Sequence, residues 1–148
     1  MAKFIFAFEQ LLIIKQKIEK QEQMNLGKAI QILSASVDKL KEIEVCSKEA
    51  VKEFQVSLNK GRIEQLKIRQ LNEKIKYYHR QINGQKEIIK KNEKQVENVK
   101  EKLRKALQER RTFEILKEKA YEEYSEAEKA EEAKLNDEIV SFKHKTNQ

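Results

Sequence analysis

A heptad repeat between Ile68 and Phe113 constrains the fold of this chain more than any other feature. Fourteen positions recur there at alternating steps of three and four residues, and eleven of them are apolar. This spacing is typical of a coiled-coil seam, the stripe along which one helix packs against another, and its period favours a left-handed supercoil. The sequence therefore predicts a long helix that packs against a second one. The seam positions are Ile68, Leu71, Ile75, Tyr78, Ile82, Gln85, Ile89, Asn92, Val96, Val99, Leu103, Ala106, Arg110 and Phe113.

A second heptad series upstream supplies the partner helix. It begins at Leu26 and alternates four and three residues, with Glu44 and Ser47 as its polar members. Its positions are Leu26, Ile30, Leu33, Val37, Leu40, Glu44, Ser47, Val51, Phe54 and Leu58. Phe4, Phe8, Leu11 and Ile18 extend the stripe toward the N-terminus, and Glu22 falls at a stutter that we expect to unwind the supercoil locally.

The two series are separated by a short segment, residues 57–62, that favours a turn. It contains Asn59 and Gly61, the residue types that most readily close a helix C-terminus. The dipeptide Asn83-Gly84 is a competing turn signal, but the heptad rhythm passes through it without interruption. We therefore expect a helix over about 4–58, a turn at about 58–62, a second helix over about 62–140 and a frayed tail at 141–148.

These elements predict an all-α fold in which two long helices form an antiparallel coiled-coil hairpin with the second helix longer than the first. The whole chain, 1–148, is interpreted as one hairpin domain. Phe4 is expected near Leu116, and the second helix is expected to overhang its partner from about Lys117. A parallel coiled-coil dimer is the alternative that the same heptads leave open.

Charge is distributed unevenly along the chain. Residues 1–59 carry nine bases and eight acids, residues 60–111 carry seventeen bases and seven acids, and residues 112–148 carry six bases and ten acids. A basic middle and an acidic end favour oriented docking on partners of opposite sign. Nucleic acid is an unlikely partner because glutamates interleave with the bases at helix-neighbour spacing, whereas zipper-type readers concentrate their bases outside the heptads.

Nothing in the sequence indicates an enzyme, a cofactor site or a small-molecule substrate. A two-helix hairpin offers no concave pocket, the three glycines are too far apart for a phosphate loop, and no histidine lies at metal-ligand spacing from another ligand. The single cysteine, Cys46, excludes an internal disulfide and indicates a reducing compartment. The apolar start is interrupted by Glu9 and Gln10, which argues against a signal peptide.

Both ends of the chain resemble the FliJ family of the bacterial flagellar type III export apparatus. The similarity rests on Lys3-Phe-Ile-Phe-Ala-Phe-Glu-Gln-Leu-Leu, on Ala106-Leu-Gln-Glu-Arg-Arg-Thr-Phe-Glu-Ile-Leu-Lys-Glu-Lys-Ala-Tyr-Glu-Glu-Tyr and on Lys134-Leu-Asn-Asp-Glu-Ile. The resemblance implies a stalk that inserts into the hexameric export ATPase and promotes its ring assembly and hydrolysis. It further implies contacts with the membrane export gate and with export chaperones, and a cytoplasmic location beside the inner membrane at the flagellar base.

The resemblance also suggests two sets of binding residues. The ATPase-docking end would comprise Phe4, Phe8, Leu11, Leu12, Tyr121, Tyr124 and Leu135. The gate-binding stripe would comprise Ile68, Asn72, Ile75 and His79, although two of these residues are also seam positions. The stalk of a virulence type III secretion system and a generic coiled-coil scaffold dimer remain the alternative functions.

Overall fold

Two long helices make up nearly all of the computed structural model, which describes residues 3–60 and 65–147. Helix α1 spans Glu9–Asn59, 51 residues, and helix α2 spans Gln65–Thr146, 82 residues. The two helices pack against each other as a hairpin in which the second helix is the longer. The predicted fold class is therefore confirmed.

The helix ends differ from the predicted bounds. Helix α1 begins at Glu9 rather than near residue 4, and the backbone N–H of Glu9 donates to the carbonyl of Phe6 at 3.2 Å. Helix α2 continues beyond residue 140 to Thr146, with Lys143, His144 and Lys145 in its last turn, where positive charge complements the helix dipole. Of the predicted turn, residues 57–59 belong to α1, and residues 61 and 62 lie outside the described part of the chain.

The described residues fall into two compact units. One, the central unit, is Glu22–Leu103, and the other, the terminal unit, contains the residues up to Gln21 and from Arg104 onward. Contacts within each unit run antiparallel. In the central unit, Ser36 pairs with Gln85 and the more C-terminal Glu53 pairs with the more N-terminal Lys74.

The seam of α2 consists of the fourteen heptad positions between Ile68 and Phe113. Each of them is buried or half-buried, and every other residue between Gln65 and Phe113 is exposed. In the central unit, Val96 and Val99 are the most deeply buried of this series together with Gln85 and Leu71. Val96 and Val99 form a core cluster with Ala29, and Leu26 and Leu33 pack against this cluster.

The seam of α1 differs from the heptad series derived from the sequence. Leu26, Leu33, Leu40, Ser47 and Phe54 lie on it. Between them the more buried positions are Ala29, Ser36, Ala50 and Ser57, each one residue before the position that the sequence suggested. The predicted Val37, Glu44 and Val51 are half-buried, and so is Ile43. Ile30 and Leu58 are 47% and 41% exposed, whereas Ala29 and Ala50 are 7% and 1% exposed. Small residues occupy this line because they let the two helix backbones approach closely, so the larger aliphatic residues lie at the flank.

The stutter predicted at Glu22 is absent from the buried stripe of α1. Leu12, Lys15, Glu19, Glu22 and Leu26 are all buried or half-buried, and they keep the alternation of three and four residues. Ile18 and Leu11, which the sequence placed on the stripe, are exposed. The apparent stutter arose because charged residues occupy regular seam positions while aliphatic residues lie beside them.

The unpartnered part of α2 begins later than predicted. In the terminal unit, Phe4 contacts Tyr121 and Tyr124 instead of lying near Leu116. Every residue from 129 to 147 is exposed. Among the described residues, no helix combines the length and the apolar character that crossing a membrane requires.

Candidate functional site

An aromatic cluster ties the non-helical N-terminal residues to α2 in the terminal unit. The ring of Phe4 lies 5.3 Å from that of Tyr121 and 5.4 Å from that of Tyr124, centroid to centroid. Phe8 lies 6.1 Å from Phe113, edge to face. Such pairs favour tilted and edge-to-face geometry because the ring face is electron-rich and the ring edge is not. Burial raises the pKa of Tyr124, and its hydrogen bond with Glu128 acts in the same direction.

Ion pairs join the two helices next to this aromatic cluster. Lys117 Nζ lies 2.8 Å from a carboxylate oxygen of Glu9, and Lys15 Nζ lies 2.8 Å from one of Glu109. The guanidinium of Arg110 pairs with Glu19 across the seam, and the same group donates to Glu114 at 2.7 Å along α2. The hydrogen bonds to Glu114 and Glu19 raise the pKa of Arg110, so this side chain stays charged.

The structure brings together only part of the predicted docking end. Phe4, Tyr121 and Tyr124 are in mutual contact, whereas Leu135 lies on the exposed stretch of α2 beyond them. Leu12 is only 3% exposed and packs inside the terminal unit. The docking candidates that present large exposed apolar surfaces are Phe8, Leu11, Tyr121 and Leu135.

An open groove of about 520 Å³ runs along this part of α2. It is lined by Phe4, Glu114, Lys117, Glu118, Tyr121 and Glu122. The lining offers aromatic surface and carboxylates, which suit contact with another protein, but it does not bring a nucleophile and a base together. Within residues 3–60 and 65–147, no three side chains among His, Cys, Asp and Glu are arranged to hold a metal ion.

The predicted gate-binding stripe is divided between the surface and the seam of the central unit. Asn72 and His79 are exposed, and they lie about two helical turns apart on the same side of α2. Ile68 and Ile75 are half-buried on the seam. A partner could therefore contact Asn72 and His79 in full but only the outer edge of each isoleucine.

A buried hydrogen bond across the seam of the central unit was not identified from the sequence. Gln85, 5% exposed, donates from Nε2 to the backbone carbonyl of Ser36 at 2.8 Å. The Ser36 hydroxyl in turn donates to the carbonyl of Leu33 at 2.7 Å. Gln85 is a polar member of the heptad series, but its acceptor could not be identified because Ser36 is not a member of the α1 series derived from the sequence.

Comparison with known proteins adds one match. A family model described as the flagellar FliJ protein matches residues 4–148. The chain belongs to the FliJ family. The family match covers both units and confirms the resemblance that the two ends of the sequence suggested. A search of curated proteins and a search of solved structures gave no match.

Membership of the FliJ family places the role of the chain in the flagellar export apparatus. FliJ proteins are not a family of enzymes, and their stalk-like role agrees with a helical hairpin whose grooves are open and solvated.

Proposed function

We propose that this protein is a non-enzymatic stalk of the flagellar export ATPase that promotes assembly of the ATPase ring and its hydrolysis of ATP. The observation that carries the proposal is the FliJ family match over residues 4–148 on a two-helix hairpin. Helices of 51 and 82 residues are suited to insertion through a ring and to transmission of a conformational change, because each continues without interruption over many turns. The location follows from the same role: the cytoplasmic side of the inner membrane at the flagellar base.

The terminal unit is the end that docks in the ATPase ring. The docking candidates Phe8, Leu11, Tyr121 and Leu135 are exposed in this unit, and two of them are aromatic, a residue type that is enriched at protein interfaces. The charge of the same region adds to it: acids outnumber bases by nine to four between Lys117 and Glu138. A ring lined with basic residues would attract this end in a fixed orientation.

ATP hydrolysis by the purified cognate export ATPase tests the proposal. The wild-type chain should stimulate hydrolysis, and a variant with Leu11→Ala and Leu135→Ala should require a higher concentration for half-maximal stimulation, roughly tenfold if each side chain contributes ~0.7 kcal/mol of the ~1.4 kcal/mol that tenfold represents. Both side chains are well exposed, 41% and 60%, so the variant should keep its fold.

A matched control makes the result specific to the terminal unit. Ile32→Ala with Val56→Ala removes two aliphatic side chains of similar exposure, 58% and 54%, from the central unit, and should stimulate like the wild type. All proteins should first sediment as 17.6 kDa monomers with helical circular dichroism. If the folded wild-type protein does not stimulate hydrolysis, the stalk function is contradicted and the scaffold function is favoured. A sedimentation mass twice that of the monomer would favour the coiled-coil scaffold dimer. Equal loss in both variants contradicts the assignment of the docking end.

The central unit carries the contact with the membrane export gate in this proposal. Asn72 and His79 are its anchors, since they are exposed on one side of α2 and the basic middle of the chain surrounds them. Asn72→Ala with His79→Ala should reduce capture of the chain by the immobilised cytoplasmic part of the cognate gate. Gln70→Ala with Gln81→Ala, at neighbouring exposed and uncharged positions, is the control. Equal capture of both variants would remove Asn72 and His79 from the gate contact.

Export chaperones are the third class of partner. The proposal assigns them to the hairpin as a whole, because the family role implies the contact and no described side chain singles out a face for it. Competition between a purified chaperone and the gate for the wild-type chain would test whether both use the central unit. Simultaneous binding of the two would place the chaperone elsewhere.

A further inference from the structure

We propose that the terminal unit is closed by an ionic clasp that opens locally and independently of the fold of the central unit. The clasp consists of the interhelical pairs Glu9–Lys117, Lys15–Glu109 and Glu19–Arg110. Ionic strength and competing charged groups set how often it is open. This property concerns the chain alone and does not depend on the ATPase proposal.

The composition of the seam is the first argument. In the terminal unit, charged side chains occupy seam positions that an ordinary coiled coil fills with aliphatic residues: Lys15 and Glu19 on α1 and Arg110 on α2. Burial of such charges costs desolvation that the Coulomb attraction offsets only in part. In this section of the seam, ion pairs between the helices therefore take the place of the apolar contacts that stabilise an ordinary coiled coil.

The exposure of these pairs is the second argument. The side chains of Lys15 and Glu109 are 25% and 55% exposed, and those of Lys117 and Glu9 are 39% and 42% exposed. Water and ions reach both pairs, and the attraction within such exposed ion pairs weakens when salt is added. Arg110 and Glu19 are more enclosed, with 22% and 12% exposure, and form the least accessible pair of the clasp.

The central unit is held differently. Its seam contains the aliphatic cluster around Val96 and Val99 and a buried amide hydrogen bond from Gln85 to Ser36. One interhelical ion pair among its described residues, Lys74–Glu53, is long at 4.0 Å and about half exposed on both sides. Apolar burial does not weaken when salt is added, so the central unit should stay closed under conditions that open the clasp.

Opening of the clasp has a consequence for recognition. Phe6 and Leu12 are 8% and 3% exposed in the closed form, and both belong to the terminal unit. When α1 separates from α2 at this end, these side chains become available to a partner that offers an apolar surface and charges able to replace those of the clasp. The clasp thus masks apolar surface until a partner of suitable charge arrives.

Hydrogen exchange of the full-length chain, followed by mass spectrometry, tests the clasp. Exchange is compared at about 20 mM and about 500 mM sodium chloride, conditions between which the Debye length falls severalfold. Amides of Leu12–Glu19 should exchange roughly tenfold faster at high salt, because three partly exposed ion pairs weaken together. Amides of Ala29–Leu40 should change less than about twofold, because apolar contacts protect them.

Two variants complete the design. A variant with Glu9→Gln, Lys15→Gln, Glu109→Gln and Lys117→Gln removes the two pairs that water and ions reach, and it should lose most of the salt dependence at Leu12–Glu19. Glu53→Gln with Lys74→Gln removes the exposed pair of the central unit and should leave that dependence unchanged. The clasp is contradicted if salt accelerates exchange equally in both units, or if the fourfold glutamine variant, shown by circular dichroism to be helical, keeps the full salt response.

Discussion

Ala50 and the other small residues on the seam of α1 determine how closely the helices approach in the central unit. The buried residues of α1 there are Ala29, Ser36, Ser47 and Ala50. Their side chains are small and occupy little of the space between the helices. The backbone of α1 therefore lies close to aliphatic residues of α2 such as Val96 and Val99. Close approach also places the Ser36 carbonyl within reach of Gln85.

Ala50→Leu should destabilise the protein, because a larger side chain in a packed seam must push the helices apart. Overpacking of this kind costs about 1–3 kcal/mol. The measurement is the free energy of unfolding in urea, followed by circular dichroism. Ala35→Leu, the same change at an exposed position of α1, should alter it by less than about 0.5 kcal/mol. Tolerance of both substitutions would contradict the position of Ala50 on the seam.

The two helices differ in how much of their packing the sequence could predict. On α2, large apolar residues occupy one heptad line and polar residues occupy most of the rest, so periodicity identifies the buried face. On α1, Ile30, Val37, Val51 and Leu58 form a line of aliphatic residues directly beside the small residues. A reading based on hydrophobicity chooses the aliphatic line, whereas the packing of two close helices selects the small one.

The N-terminal segment shows the same limit on prediction. Phe4 and Phe8 continue a helical spacing, and the sequence therefore extended α1 back to them. In the structure, the chain is non-helical from Lys3 to Phe6, and Phe4 packs on Tyr121 and Tyr124. The family resemblance placed these three aromatic residues in the same docking end. Their contact, however, depends on the register of the two helices, and heptad spacing does not distinguish registers that differ by about one helical turn.

The sequence does not show which acidic and basic side chains pair with each other in the clasp. Arg110 is a charged member of the heptad series, and its acceptors lie on α2 itself, at Glu114, and on α1, at Glu19. Many glutamates are within sequence reach of any base in so charged a chain, and only the three-dimensional register selects among them. Elements with many equivalent charges are therefore read less well from sequence than elements with few large apolar residues.

For the whole molecule, the account combines a family membership with a division of roles between the two units. The FliJ match covers residues 4–148 and assigns the chain to flagellar export. The terminal unit, with exposed apolar side chains, aromatic contacts and ion pairs, is proposed to meet the ATPase. The central unit, with its apolar seam and exposed Asn72 and His79, is proposed to meet the gate.

Titration of the full chain against the assembled export ATPase, with the rate of ATP hydrolysis as the readout, tests the central claim most directly. A stalk that inserts into a ring binds along its central axis, so there is room for one chain in each ring. The account predicts stimulation that saturates at one chain per hexameric ring. Stimulation that saturates at one chain per ATPase subunit would indicate binding to the outside of the ring, and either that result or an absence of stimulation would contradict the stalk.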